Sequence, residues 1–143
     1  MDGYDRAVLL AYLQQVPIFS ACTEPELEHL LQRADLRAVD AGTEIVHQGD
    51  HGDEFFLVAQ GDVEIERGGR EVARLGPGGF FGELALFDEA PRNATVRVVA
   101  DAQAAFAVFD RASFRAALDE IPALRDSLLR GMARRLHELD AKA

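Results

Sequence analysis

The sequence predicts an α+β fold, with helices at both ends and a compact β-core between them. Three observations carry this expectation. Apolar residues recur at helical spacing before Asp35 and again after Asp110. Between these segments, short apolar runs are separated by glycines at 42, 49, 52, 61, 68, 69 and 76, the rhythm of a barrel or sandwich. A chain of 143 residues, 48% hydrophobic and 28% charged, is enough for one domain with a sizeable core.

The elements follow in order. Ala7, Leu10 and Ala11 share one helical face, widened by Val8, Leu9, Tyr12, Leu13 and Val16, and Pro17 ends the run. Thr23-Glu24-Pro25-Glu26 has the spacing of a capping box, with proline in the first turn, where its missing N–H costs nothing. Leu27, Leu30, Leu31 and Ala34 then mark a second helix face. Glu54 to Gln60 is rich in β-forming residues. After Gly61, Val63 and Ile65 alternate with Asp62, Glu64 and Glu66. Val72, Ala73 and Leu75 follow the Gly68-Gly69 turn, and Thr95 to Val99 and Ala104 to Phe109 predict two more strands. Asp110 is placed to cap a helix containing Phe114, Ala117 and Leu118. Pro122 separates it from a last helix, where Leu129, Met132, Leu136 and Leu139 recur at spacings of three, four and three. That stripe reads as core packing or as a seam between two chains.

Charge and composition exclude several functions. Fifteen Lys+Arg against 25 Asp+Glu give a net charge of −10, the wrong sign for a nucleic-acid surface. The block 40–66 carries −8 and has no Lys or Arg. The single cysteine, Cys22, excludes an internal disulfide and any site built from several thiolates. His47 and His51 flank Gly49 in a Gly/Asp-rich stretch, so no metal site is expected. No activated nucleophile or catalytic carboxylate pair is evident, so no enzyme is expected. The apolar run Ala7 to Leu13 is too short to span a membrane, and Asp2 and Asp5 outweigh Arg6 before it. The expected location is the cytoplasm.

The chemistry concentrates between Leu75 and Val99. Glycines at 76, 78, 79 and 82 permit close backbone approach to a ligand. Glu83-Leu84-Ala85-Leu86 can form one helical turn, whose start attracts an anion. Nine residues beyond Glu83, Arg92 supplies a planar, permanently charged fork suited to phosphate. On the residues alone, this is either an anion-binding loop or a glycine-rich barrel corner with an exposed arginine.

The stretch Phe81 to Val96, FGELALFDEAPRNATV, closely resembles the phosphate-binding cassette of cyclic nucleotide-binding domains. The segment Gly49-Asp50-x-Gly52-Asp53-x-Phe55-Phe56-x-Val58-x-x-Gly61 resembles the family's early strands, and the resemblance runs from about Leu9 to Leu139. It implies an eight-stranded antiparallel, jelly-roll-like β-roll. One domain over 1–143 would hold N-terminal helices at about 7–35, the roll at about 36–109 and two C-terminal helices at about 111–140. The implied ligand is cyclic AMP or cyclic GMP, with no cofactor or metal.

The resemblance also assigns roles. Arg92 should pair with the cyclic phosphate, and Glu83 should accept a hydrogen bond from the ribose 2′-hydroxyl. The backbone at Gly82, Leu84 and Ala85 should donate N–H groups, with Asn93 and Ala94 also at the ligand. Phe81, Thr95 and Asp53 should support the site, Asp53 by contacting Arg92 directly. Asn93 departs from the family's usual Ala, Ser or Thr, so it leaves the purine open. The preference for cyclic AMP rests on its being the commoner ligand of such chains. Leu129, Met132, Arg134 or Arg135 of the last helix should cap the base, with a hinge near Glu120 to Pro122.

The resulting expectation is a cyclic nucleotide sensor that signals by moving its C-terminal helix against a partner or a dimer mate. The alternatives are a nucleotide-independent interaction module, or the sensor fragment of a longer regulator. Only Ala141-Lys142-Ala143 follows Asp140, which leaves no room for a helix-turn-helix, so nucleic acid is not an expected partner; the short apolar run makes a membrane an unexpected one as well.

Overall fold

The computed structural model describes residues 5–142. Helix α1 (Arg6–Gln14) is capped by the Asp5 side chain, which accepts from the Ala7 N–H at 2.9 Å. It stops two residues short of Val16. Pro17, rather than ending α1, opens a short 3-10 turn, Pro17–Phe19. Helix α2 (Glu24–Gln32) begins with the predicted capping box, both hydrogen bonds of which form between Thr23 and Glu26.

Eight strands follow: β1 (Asp35–Val39), β2 (Glu44–Val46), β3 (Glu54–Gln60), β4 (Val63–Arg67), β5 (Arg70–Leu75), β6 (Phe80–Phe81), β7 (Thr95–Val98) and β8 (Ala104–Asp110). They form two four-stranded sheets, ordered β1-β8-β3-β6 and β2-β7-β4-β5, and every pairing is antiparallel. This is the eight-stranded roll the resemblance implied. Strands β1, β2 and β6 escaped individual prediction because they are short or carry no clean alternation.

Two apolar clusters hold the molecule. Phe56, Val58, Val63, Val96, Val98, Phe106 and Val108 fill the space between the sheets. On the other side of β3 and β8, Phe55, Leu57 and Phe109 pack against the leucines of α1 and α2 and against Phe114 and Leu124. Strand alternation explains the division, since successive side chains of β3 point to opposite faces.

Asp110 caps α3 (Arg111–Glu120) as predicted, its carboxylate accepting from the Ser113 N–H at 2.7 Å. A single non-helical residue, Ile121, separates α3 from α4 (Pro122–Lys142). Helix α4 lies along the 3-10 turn. Gly131 approaches the Ile18 carbonyl so closely that a Cβ there would collide with backbone. Ser127 Oγ donates to the buried Glu26 carboxylate at 2.9 and 3.1 Å. Among the described residues, no helix is long and apolar enough to cross a membrane.

Candidate functional site

A cavity of about 550 Å³ opens between the segment 81–96 and the face of the β2-β7-β4-β5 sheet. Its apolar lining includes Val46, Ile65, Phe81 and Val96, and its polar side chains are those of Glu83, Asp88, Arg92, Asn93 and Arg67. Gly82, at φ +82°, turns the chain from β6 into a 3-10 turn, Glu83–Leu86. Leu86 is buried in the core and Phe87 meets Phe114 edge-on at 5.1 Å. The turn is thus fastened to α3 from below.

Arg92 is positioned from both its main chain and its side chain. Its N–H donates to the Asp50 carbonyl at 2.7 Å, and its carbonyl accepts from the Gly49 N–H at 2.8 Å. An isolated bridge between His51 and Pro91 extends this strap. The guanidinium then passes between two glycines. A Cβ on Gly52 would lie 2.5 Å from one terminal nitrogen, and a Cβ on Gly82 would lie 2.5 Å from the other. Nη2 donates to the Glu54 carbonyl at 2.9 Å.

Among the described residues, Arg92 makes no direct ion pair. Burial lowers its pKa from the ordinary guanidinium value. The nearby charges of Glu54 and Asp53 oppose that shift, and Arg111 adds to it. The predicted Asp53–Arg92 ion pair is not formed: Asp53 is exposed, and its carbonyl instead accepts from the Arg111 N–H at 2.9 Å. The carbonyl of Glu54, one residue on, takes the place expected for Asp53. The Glu54 carboxylate is occupied by Arg37 at 3.0 Å. On its other side, Arg92 borders a polar groove of about 440 Å³ that contains Glu44, Asp50 and Asp53.

The other predicted residues divide clearly. Gly82, Glu83, Leu84, Ala85, Arg92, Asn93 and Ala94 all line the cavity, as does Phe81. Phe81 is braced by Phe56, with the rings stacked at 4.8 Å. The Ala85 N–H donates to the Gly82 carbonyl at 3.1 Å. Glu83 has no hydrogen-bond or ion-pair partner among the described residues. Thr95 stands behind the wall, its Oγ1 accepting from the Gln48 N–H at 2.9 Å. Leu129, Met132, Arg134 and Arg135 do not line the cavity. Leu129 is 64% exposed, Met132 packs on the helical core, Arg134 donates to the Ser20 carbonyl at 3.3 Å, and Arg135 faces Glu138. Of the apolar stripe on α4, Leu129, Leu136 and Leu139 are exposed.

Two arginines were not foreseen. Arg111 Nε donates to the Ala85 carbonyl at 2.8 Å, and Nη2 reaches the Gly52 carbonyl at 3.4 Å, so the start of α3 ties the 3-10 turn to the Gly52 loop. Arg67 lines the cavity and donates from Nε to the Asn93 carbonyl at 3.2 Å. Elsewhere, burial and the neighbouring Glu26 push the Cys22 thiol up to about 12, which keeps it protonated and poorly nucleophilic at neutral pH. His47 is held by Glu44 at 2.6 Å, and His51 lies 3.5 Å from Glu89.

Chemically, the cavity can bind an anion at Arg92 and accept a hydroxyl proton donor at Glu83, with apolar surface between strands for a flat ring.

Comparison with known proteins agrees with this chemistry. The family model described as "Cyclic nucleotide-binding domain" matches residues 36–120. The chain is 39% identical over 95 residues to a cAMP-dependent protein kinase regulatory subunit from Mycosarcoma maydis, a match covering 64% of this chain and 18% of that protein. It is 36% identical over 129 residues to the cyclic AMP receptor protein of Thermus thermophilus, covering 87% and 59%. The chain therefore spans less than two thirds of these relatives' own length. Among solved structures, the N-terminal domain of a transcriptional regulator from Streptomyces coelicolor superposes with a TM-score of 0.81 at 29% identity, covering 92% of this chain and 94% of that one.

Proposed function

The chain belongs to the cyclic nucleotide-binding domain family, and we propose that it works as a sensor rather than an enzyme, taking cyclic AMP in preference to cyclic GMP. One observation carries the reading. Arg92 is a half-buried cation, facing the cavity between two glycines, and among the described residues its side chain has only a main-chain carbonyl for a hydrogen-bond partner. Taking a charge out of water without a partner is costly, and a bound phosphate relieves that cost. Glu83 then accepts from the ribose 2′-hydroxyl, which orients it away from repulsion by the phosphate. The preference for cyclic AMP is supported by the names of the kinase subunit and the receptor protein above.

The output runs through the helices. Leu86 and Phe87 transmit a shift of the 3-10 turn to Phe114, and Arg111 transmits it from Ala85 to the start of α3. The joint at Ile121 then passes the change to α4, which meets an effector protein or a second copy in the cytoplasm. A ligand achieves this only by binding the two arrangements with different affinity. The short share of the relatives' length covered by this chain favours a second reading, the sensor part of a longer regulator.

The test is calorimetric titration of the wild type and of Arg92→Ala with both nucleotides. The wild type should bind, and Arg92→Ala should lose about tenfold to a hundredfold in affinity or more, as one or two charged hydrogen bonds require. Equal affinity in the variant would exclude Arg92 as the phosphate partner. A wild type that binds neither nucleotide would favour a nucleotide-independent interaction module.

A further inference from the structure

We infer that Arg67, at the end of β4, is the residue that holds the purine base, through a contact with the face of the ring. The inference rests on the cyclic nucleotide reading of the cavity and assigns its base end, which α4 does not reach.

The sheet builds this end of the cavity. Register pairs Val46 with Val96 and Val96 with Ile65, so three apolar side chains from β2, β7 and β4 form a row across the sheet. All three line the cavity. Residues i and i+2 of a strand share a face, so Arg67 extends the Ile65 side of that row toward the rim. A planar base lying on the row meets the Arg67 side chain at its end.

Arg67 is held in place. Its Nε–H is taken by the Asn93 carbonyl at 3.2 Å. The next residue, Gly68, donates its N–H to Gln48 Oε1 at 2.9 Å, and Gln48 in turn is bound to Thr95 Oγ1. The hairpin corner is therefore fastened to β7 beside the cavity.

Its charge is also uncompensated. Arg74 and Arg97, on the same sheet, are bound by carboxylates at 2.6 to 3.1 Å. Arg67 has no carboxylate partner among the described residues, although Glu64 and Glu66 are its neighbours in sequence, because those two acids are taken by Arg74 and Arg97. What remains is a cation at the rim of a partly apolar cavity, the arrangement that attracts a π-face. Adenine and guanine share that face, so the contact is common to both.

Stopped-flow measurement of cyclic AMP and cyclic GMP binding to wild type, Arg67→Ala and Arg92→Ala tests this, with thermal unfolding to verify that each is folded. Arg67→Ala should raise the dissociation rate of both nucleotides by a similar factor, about 2- to 30-fold. Association should stay nearly unchanged. A loss carried by association alone, and abolished by added salt, would mean that Arg67 only steers the phosphate and would overturn the inference. So would a loss confined to one nucleotide, which is reading of the base edge, or no loss at all. Wild-type binding that Arg92→Ala removes and Arg67→Ala leaves intact would sink this inference alone. Absence of wild-type binding would remove the cyclic nucleotide reading as well.

Discussion

Arg97 and Arg92 stand five residues apart, on and just before the same strand, and their surroundings are opposite. Arg97 points away from the inter-sheet core, where Glu66 holds it at 2.6 Å and Glu44 at 3.1 Å. The hydrogen bond that Arg97 donates to Glu66 raises its pKa, whereas burial lowers that of Arg92. The outer face of the sheet is a set of satisfied ion pairs, whereas the two arginines of the cavity, Arg92 and Arg67, donate to main-chain carbonyls and form no ion pair among the described residues. The acidic block 40–66 explains how both arise in one chain. Its carboxylates Glu44, Glu64 and Glu66 are used on the outer face, and that of Glu54 is used on Arg37. A net charge of −10 is therefore compatible with the proposed anion site at Arg92, because these four carboxylates are engaged by other arginines.

The two glycines against Arg92 set how closely its side chain is held. Gly82→Ala should have the largest combined effect. At φ +82° an added Cβ is strained by about 1–2 kcal/mol, and it would also meet the Glu54 carbonyl at 2.8 Å and Arg92 Nη1 at 2.5 Å. Both the unfolding midpoint and the nucleotide affinity should fall, as read by thermal melts and titration. A variant that keeps full affinity would show that Arg92 does not need this passage.

Gly52→Ala is the sharper probe. Its three nearest atoms all belong to the Arg92 guanidinium, at 2.5, 2.7 and 2.9 Å, and its own backbone needs no left-handed conformation. The side chain can move aside, so stability should change by less than about 0.5 kcal/mol. Affinity should nevertheless drop about tenfold, because moving Arg92 aside breaks a charged hydrogen bond. Chemical denaturation and titration on the same sample separate the two effects. A parallel loss of stability would mean that the Gly52 loop, and not the placement of Arg92, is the affected part.

The sequence disclosed these regions unequally. The segment 81–95 was legible because its special residues are contiguous and each has one dominant use: glycine for a turn, Arg92 for an anion. The capping box at Thr23 and the cap at Asp110 were legible for the same local reason. The partner of Arg92 was not. A carboxylate at 53 looked like the natural counter-ion, but loop geometry exposes it and presents the next carbonyl. Arg67 gave no signal in the sequence, since only the pairing of β4 with β7 brings it beside Asn93. The stripe on α4 marked an apolar face without naming its neighbour, while Gly131 carried the better clue to the close approach at Ile18.

The smallest expected effect belongs to Arg97→Ala, and it is the control that gives the others meaning. Arg97 is one-third exposed, and both of its acids are partly exposed, so water and salt already screen the pairs. Exposed pairs of this kind contribute about 0.2–1 kcal/mol each, and removing the arginine also leaves Glu44 and Glu66 able to turn to water. Its side chain alternates away from Val96, which faces the cavity, so nucleotide affinity should match wild type within about twofold. Added salt should shrink the stability difference between the two proteins further. If Arg97→Ala instead weakened binding as strongly as Arg92→Ala, long-range charge would outweigh local geometry, and the distinction between carbonyl-held and carboxylate-held arginines would carry no functional information.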